Sequence, residues 1–158
     1  MPAWSPDGRE LAFHSRADGD AVWIMPSAGG EPRRFTDGGA APVAWSPDGL
    51  WIVVNRGGDL YRVERDGSKD MRLGPGNTPR VSHDGRWILY NILTGPRESH
   101  DLYARSVVDE TVRRLTSLGD RAGRLGGGFA ADDRYLYFAW LEDVGDLWVM
   151  DVARGGQP

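Results

Sequence analysis

Apolar residues in this chain come in short bursts, and the bursts keep step with one another. Leu11-Ala12-Phe13, Ile52-Val53-Val54, Ile88-Leu89-Tyr90 and Leu136-Tyr137-Phe138 each begin four residues after an aspartate, at positions 7, 48, 84 and 132. Further along each unit comes an aliphatic-aromatic pair: Val22-Trp23, Leu60-Tyr61, Leu102-Tyr103 and Leu147-Trp148. Twelve residues past the aromatic sits another apolar residue: Phe35, Leu73 and Leu115. The gaps between the aspartates are 41, 36 and 48, and all of that variation falls between the fixed blocks. Fixed blocks with elastic connectors are the mark of strands and surface loops in a repeat of about 40 residues.

Each unit reads as four short strands. The first surrounds Trp4, Trp45, Val81 or Phe129 and is led in three units by a proline: Pro2, Pro42 and Pro79. Proline belongs at a strand start or edge because it has no N–H to donate. A turn follows: Ser5-Pro6-Asp7-Gly8, Ser46-Pro47-Asp48-Gly49, Ser82-His83-Asp84-Gly85, and the degraded Ala130-Ala131-Asp132-Asp133. Pro presets φ, Asp bonds its own backbone and Gly accepts φ > 0. The second strand is the continuous apolar run, so both of its faces should be covered. The third strand carries the aliphatic-aromatic pair. The fourth is short and half-polar (Arg33-Arg34-Phe35-Thr36, Met71-Arg72-Leu73, Arg113-Arg114-Leu115-Thr116), as suits an exposed edge. The 22 Gly and 10 Pro interrupt every window long enough for a helix, at a cost of about 1 (Gly) or 3 (Pro) kcal/mol each relative to Ala. Ser106 to Leu118 is the one marginal helical stretch, and its β-branched Val107, Val108, Thr111 and Val112 favour strand. The expected architecture is all-β, a β-propeller of four-stranded antiparallel blades. Its repeats fall at about 1–41, 42–78, 79–126 and 127–158, the last without its outer strand.

Composition narrows the partners. The net charge of −4 gives no basic field for nucleic acid. Lys69 is the sole lysine; arginine supplies the remaining cationic charge, which reads as codon or design preference and not as phosphate recognition. With no cysteine there is no disulfide and no thiolate metal site, which leaves cytoplasm and periplasm both open. No apolar stretch reaches 18 residues, so no membrane span is expected. The first repeat starts at once, so a signal peptide is expected to be absent or removed.

Ser-Pro-Asp-Gly, a four-residue step to an aliphatic, then Leu-Trp/Tyr and Arg-Leu-Thr resemble the PD40 (WD40-like) β-propeller repeat of the TolB C-terminal domain. Related repeats occur in the propellers of tricorn-like and prolyl-oligopeptidase-like proteases. The resemblance spans essentially the whole chain. Repeat three departs by carrying His83 in the proline slot, and repeat four has lost Ser, Pro and Gly from its turn. The resemblance implies blades set radially around a channel, with binding surfaces made by loops, and a periplasmic, envelope-associated setting. Such propellers commonly have six or more blades. Four repeats are therefore expected to be part of a longer propeller or to be completed by self-association through open blade edges, in preference to closing as a small ring.

Candidate chemistry is sparse. No Gly-x-Ser-x-Gly elbow occurs. His14 ends a second strand, His83 replaces a turn proline, and Ser99-His100-Asp101 are sequence neighbours, which cannot form a triad. Asp18-Gly19-Asp20, Asp132-Asp133 and Glu142-Asp143 with Asp146 are oxygen-rich runs that would suit Ca²⁺, although none matches an EF-hand loop, and hairpin turns use the same residues. The expectation is no cofactor. Gly126-Gly127-Gly128 lacks the lysine and helix of a phosphate loop and reads as a flexible connector. Partner-binding candidates lie on the two longest connections: Arg97, Glu98 and His100 in one, Arg121 and Arg124 in the other. Trp51 and Trp87 share a repeat position and read as packing between blades. Trp140, placed just after its second strand, is expected to reach a surface.

The function these features favour is a non-enzymatic propeller scaffold that binds protein or peptide. A second reading is the propeller portion of a peptidase whose catalytic domain lies elsewhere, and a third is an excised or engineered half-propeller. The strand assignment makes its own prediction. Leu60→Asp places an unpaired charge in a blade interior at a cost of several kcal/mol. The thermal unfolding transition seen by circular dichroism should collapse, and an unchanged transition would contradict the assignment.

Overall fold

The computed structural model describes residues 2–17, 19–38, 40–94, 99–118, 123–132, 134–141 and 146–151. They form four antiparallel sheets, one after another along the chain, with no helix among them. The first blade contains β1 (Ala3–Trp4), β2 (Glu10–Ser15), β3 (Ala21–Pro26) and β4 (Arg33–Arg34). The second contains β5 (Ala40–Trp45), β6 (Trp51–Arg56), β7 (Asp59–Glu64) and β8 (Asp70–Pro75). The third contains β9 (Asn77–Val81), β10 (Trp87–Thr94), β11 (Ser99–Ser106) and β12 (Val112–Arg114). The fourth contains β13 (Arg124–Ala131), β14 (Tyr135–Leu141) and β15 (Asp146–Asp151). Each is a meander in which every strand pairs with its sequence neighbour.

The turn between the first two strands of a blade owes its rigidity to serine as much as to aspartate. Ser5, Ser46 and Ser82 each donate a hydroxyl to Oδ1 of the aspartate two residues on, at 2.6 Å. The same hydroxyl accepts the N–H five residues on, from Glu10, Trp51 and Trp87 at 2.9–3.1 Å. Asp Oδ1 also accepts a backbone N–H, from Arg9, Leu50 and Arg86. Glycine closes the turn by donating its N–H to the serine carbonyl at φ near +70°. The fourth turn is shorter. Six residues separate the ladder pair Trp45 and Ile52, but only four separate Ala131 and Leu136. Asp132 stands in the serine slot, its N–H bonded to the Tyr135 carbonyl, while its Oδ1 accepts from Arg134 and Tyr135 N–H at 2.7 Å. One carboxylate thus does the work of serine and aspartate together, which corrects the reading of this turn as a degraded full-length copy.

Blades pack face to face in three seams. The third-strand pair shows how: its aliphatic member points toward the following blade and its aromatic member toward the preceding one. Val22, Leu60 and Leu102 are all at most 1% exposed. Tyr61 packs into the first seam with Ile24, Trp45 and Val54, and Tyr103 into the second with Val53, Leu60 and Tyr90. The third seam joins Leu89, Leu102 and Leu118 to Phe129, Leu136, Phe138 and Trp140. Phe35, Leu73 and Leu115 each enter the seam ahead of their own blade. In the outer strand, Thr36 and Thr116 continue the sheet where β4 and β12 end. Their Oγ1 atoms accept the N–H of Val22 and Leu102. The turns latch as well. A Cβ on Gly49 would lie 3.7 Å from the Pro6 ring, and one on Gly85 would lie 3.6 Å from the Pro47 ring. At the third seam both partners of this latch are gone, since His83 replaces proline and the shortened fourth turn has no glycine.

Burial along the second strands shows that the arc is open. β6 is buried on both faces over five consecutive residues, whereas β14 alternates and β2 is fully covered only at Ala12. Trp4 is 59% and Tyr137 40% exposed, so the first and last sheets do not cover one another.

The inner strands begin at Ala40, Asn77 and Arg124, two or three residues ahead of the expected boundaries at 42, 79 and 127. The reason is a bulge in each. Register shifts occur between Ala40 and Val43, opposite Leu89 to Asn91, and between Gly126 and Phe129. Pro42 and Pro79 are therefore third residues of their strands, tolerated where the ladder is interrupted, and do not lead them. Gly126-Gly127-Gly128 is part of β13, a bulged inner strand and not a connector. Thr78, in the bulge of β9, takes φ +51°, an unusual conformation for a β-branched residue.

Just before that bulge, Gly76 closes the second seam. Its carbonyl accepts from Asn55 Nδ2 at 2.6 Å, and a Cβ there would lie 2.6 Å from Tyr90 Cδ2 and 2.9 Å from Leu60 Cδ1. Gly76→Ala should therefore cost about 1–3 kcal/mol by overpacking. Urea unfolding measures this directly, and an unchanged midpoint would show that the seam is looser than described.

Candidate binding surface

Two concave regions stand out among the described residues. The first is a groove of about 330 Å³ along the inner strands of the first three blades, lined among others by Ala3, Trp4, Val43, Trp45, Arg80 and Val81. The ladder explains its composition. Ala3 pairs with Ala12, Ala44 with Val53, Arg80 with Leu89 and Ala130 with Tyr137, so these four residues share one repeat position. Three are alanine, and the third blade places a guanidinium there. Arg80 bonds the Pro79 carbonyl through Nη1 at 2.9 Å and remains half-buried. Trp45 donates its indole N–H to the Ala3 carbonyl at 3.1 Å, across the first seam. The groove therefore offers the exposed Trp4 indole, small side chains that admit a backbone, and one cation, with the edge of the largely buried Trp45 in its wall.

The second region, of about 280 Å³, lies at the turn end between Ser5, Pro6, Asp7, Pro47, Asp48 and Arg65. Serine hydroxyls hold the Asp7, Asp48 and Asp84 carboxyls below the ordinary carboxylate range, with backbone N–H bonds adding to the effect. Asp109, on the outer hairpin of the third blade, is lowered to about 2 by the Ser106 and Thr111 hydroxyls and the Thr111 N–H. Arg65 reaches back across the first seam to Glu10 Oε2 at 2.8 Å.

The arginines have a structural explanation that composition alone did not supply. Arg62 lies over the Trp51 ring at 4.6 Å, Arg56 over Tyr61 at 4.8 Å and Arg113 over Trp87 at 5.3 Å. A planar guanidinium stacks on an aromatic face in a way an ammonium cannot. Arg114 pairs with the fully buried Asp101 at 2.6 Å, and Asp101 also accepts from Thr116 Oγ1 and the Leu118 N–H.

The residues singled out from sequence are scattered. Arg97, Glu98 and Arg121 lie outside the described residues, as do Asp18, Asp133, Glu142 and Asp143. His100 falls on β11 and Arg124 on β13, both in regular ladder pairing, so these two belong to strands and not to loops. Trp140 does not reach a surface. β14 continues to Leu141, and alternation along it puts Leu136, Phe138 and Trp140 on one face, so Trp140 is 1% exposed in the third seam. His14 is bonded to Asp20 at 3.0 Å and closes its hairpin, and His83 is exposed. Among the described residues, no three histidine, aspartate or glutamate side chains gather as a metal would require. None of the described residues forms a helix long and apolar enough to cross a membrane. Sequence reading missed Arg80. Aligning the repeats on their inner strands, instead of on the turn aspartates, would have shown it as the charged member of an alanine set.

Meanders of three or four strands packed face to face in an arc, three of them carrying the same serine-aspartate turn, define a β-propeller. The repeat and the fold are those of the TolB-like, PD40 (WD40-like) propellers. TolB from Acinetobacter baumannii superposes on 98% of this chain and 41% of its own, with a TM-score of 0.76 and 20% identity. A putative TolB from Agrobacterium tumefaciens covers 92% of this chain and 55% of its own, with a TM-score of 0.71 and 27% identity. By sequence, the uncharacterized peptidase YuxL of Bacillus subtilis is 32% identical over 146 residues, 87% of this chain. The chain spans 21% of that relative's length. No family model matches the chain.

The depressed carboxyls give the turns a pH signature. A carboxyl whose folded value lies below its unfolded one contributes stability above the unfolded value and loses it as pH falls through the folded value. The melting temperature should therefore decline on acidification between about pH 4 and pH 2. Ser46→Ala removes the hydroxyl that lowers Asp48 and strands the buried Trp51 N–H, at a cost of about 1–3 kcal/mol at neutral pH. Thermal melts from neutral to acid pH check both effects. A Ser46→Ala chain as stable as the parent would rule out the hydroxyl's role.

Proposed function

We propose that this chain is a non-enzymatic propeller scaffold that binds a protein or peptide along the inner-strand groove. The observation that carries this reading is Arg80, set at an alanine position in the groove that Trp4 and Trp45 also line. Indoles offer large, rigid contact area, and arginine offers a fixed fork of donors suited to a carboxylate. A peptide with an aromatic side chain and a nearby carboxylate matches both. The periplasmic, envelope-associated setting implied by the TolB resemblance belongs to this reading, as does self-association through the uncovered blade faces. No cofactor is part of the proposal; the Asp18–Asp20 and Glu142–Asp146 runs resemble calcium loops in composition alone.

A second reading, the propeller portion of a peptidase, is favoured by the 32% identity to YuxL, which is named a peptidase. In that case the same groove would face the path of a substrate peptide. The test uses a library of octapeptides with free and amidated C-termini, screened by fluorescence polarisation against the chain. Aromatic, acidic members should bind, and Arg80→Ala should weaken them about tenfold or more while leaving the melting temperature unchanged. Absence of any binder, or equal binding by Arg80→Ala, would sink the groove assignment. Cleavage of a fluorogenic peptide by the purified chain alone would overturn the non-enzymatic reading.

A further inference from the structure

The second and third seams carry an asparagine at the same repeat position and treat it differently. Asn55 pairs with Ala40 and Leu60, and Asn91 pairs with Asn77 and Leu102, so the two are equivalent. Each is 6% exposed. Strand alternation with Val53 and Leu89 turns both toward the following blade. Asn55 uses its whole amide. Nδ2 donates to the Gly76 carbonyl at 2.6 Å and to Asn77 Oδ1 at 3.1 Å, and Oδ1 accepts the Gly58 N–H at 3.3 Å. Asn91 Oδ1 is buried and finds no donor among the described residues. Buried side-chain acceptors without a protein partner are uncommon, and ordered water ordinarily serves them.

The ladder explains the loss of each partner. Gly126 pairs with Ala139 as Asn77 pairs with Asn91, so the fourth blade has a glycine where the third supplies the Asn77 side chain. One residue earlier, Leu125 stands in the place of Gly76. Gly76 comes up to Asn55 because nothing projects from it; a Cβ there would run into Tyr90 and Leu60. Leu125 projects a full side chain into the core with Leu102 and Phe138, the equivalents of Leu60 and Tyr90. That side chain holds the backbone of β13 away from Asn91. The hairpins differ as well. In the second blade the ladder ends at Arg56 and Asp59, and the turn aims the Gly58 N–H back at Asn55. In the third blade the ladder runs two pairs past the equivalent point, through Leu93–His100 and Thr94–Ser99, so no turn N–H lies at that level. We infer that a single water molecule binds at Asn91 and ties the third blade to the fourth. It donates to Asn91 Oδ1 and reaches β13, where the bulge between Gly126 and Phe129 interrupts the ladder and frees main-chain groups. The Asn55–Gly76 bond fixes one spacing between its blades, whereas a bridging water re-forms its bonds as two sheets shift. This inference rests on the seams and stands apart from the peptide-binding reading.

Oxygen-17 magnetic relaxation dispersion, which counts the long-lived internal waters of a folded chain, tests it. Asn91→Leu keeps the side-chain bulk and removes the amide, so the count should fall by one relative to the parent. Asn91→Val serves in the same role if the leucine variant fails to fold by circular dichroism. A crystal structure of the parent should place one ordered solvent oxygen about 2.5–3.0 Å from Asn91 Oδ1. An unchanged count in a folded variant would overturn the inference. So would a crystal structure in which Asn91 Oδ1 accepts from a protein N–H or faces apolar atoms alone.

Discussion

A sheet with two apolar faces needs a neighbour on each, and this requirement governs the whole structure. A single blade here has four short strands and too little core to stand alone. Packed between neighbours, its second strand becomes fully enclosed, as β6 is. Stability is therefore a property of seams, close to a sum over nearest-neighbour contacts. It also explains the economy of the repeat. One dipeptide, Leu60-Tyr61, serves two seams at once because successive residues of a strand point to opposite sides.

The turns act at right angles to this. Face-to-face packing leaves two sheets free to slide, and the serine-aspartate hairpins limit the sliding by bringing a proline of one blade against a glycine of the next. The carboxylate in each hairpin is satisfied by a hydroxyl and an N–H, so the turn keeps its shape without drawing on the core. Guanidinium planes laid over Trp51, Tyr61 and Trp87 seal the rims of the seams where aromatic rings approach solvent.

Much of this was legible in the sequence because the repeat is phased by covalent geometry. The spacing from aspartate to aliphatic reflects a hairpin of fixed length, and the aliphatic-aromatic pair reflects strand alternation. Three kinds of feature were not legible. The first is substitution with a change of length: Asp132 looks like the aspartate of the other turns when counted forward and like their serine when counted back, and only the ladder shows that two residues are missing. The second is strand extent. Trp140 was placed past its strand because the strand was read as Leu136-Tyr137-Phe138 alone, yet the alternation of Leu136, Phe138 and Trp140 carries it on to Leu141. The third is the groove, since Arg80 acquires meaning only from residues contributed by other blades. The bulges were hidden for a related reason. Proline, threonine and glycine fill comparable positions in the three inner strands, and no residue type marks the place.

The third seam lacks its latch and compensates with bulk, placing Phe129, Phe138 and Trp140 where the other seams rely partly on the turn contact. Hydrophobic contact is non-directional, so it holds two sheets together without dictating the angle between them. The first three blades are thus set at a pitch fixed by their hairpins, and the fourth can adjust. In any circular arrangement the angles must sum to a full turn, and small errors accumulate from blade to blade. The seam beside Trp140 is the compliant joint of the arc, the place where such error can be taken up without disturbing the rest.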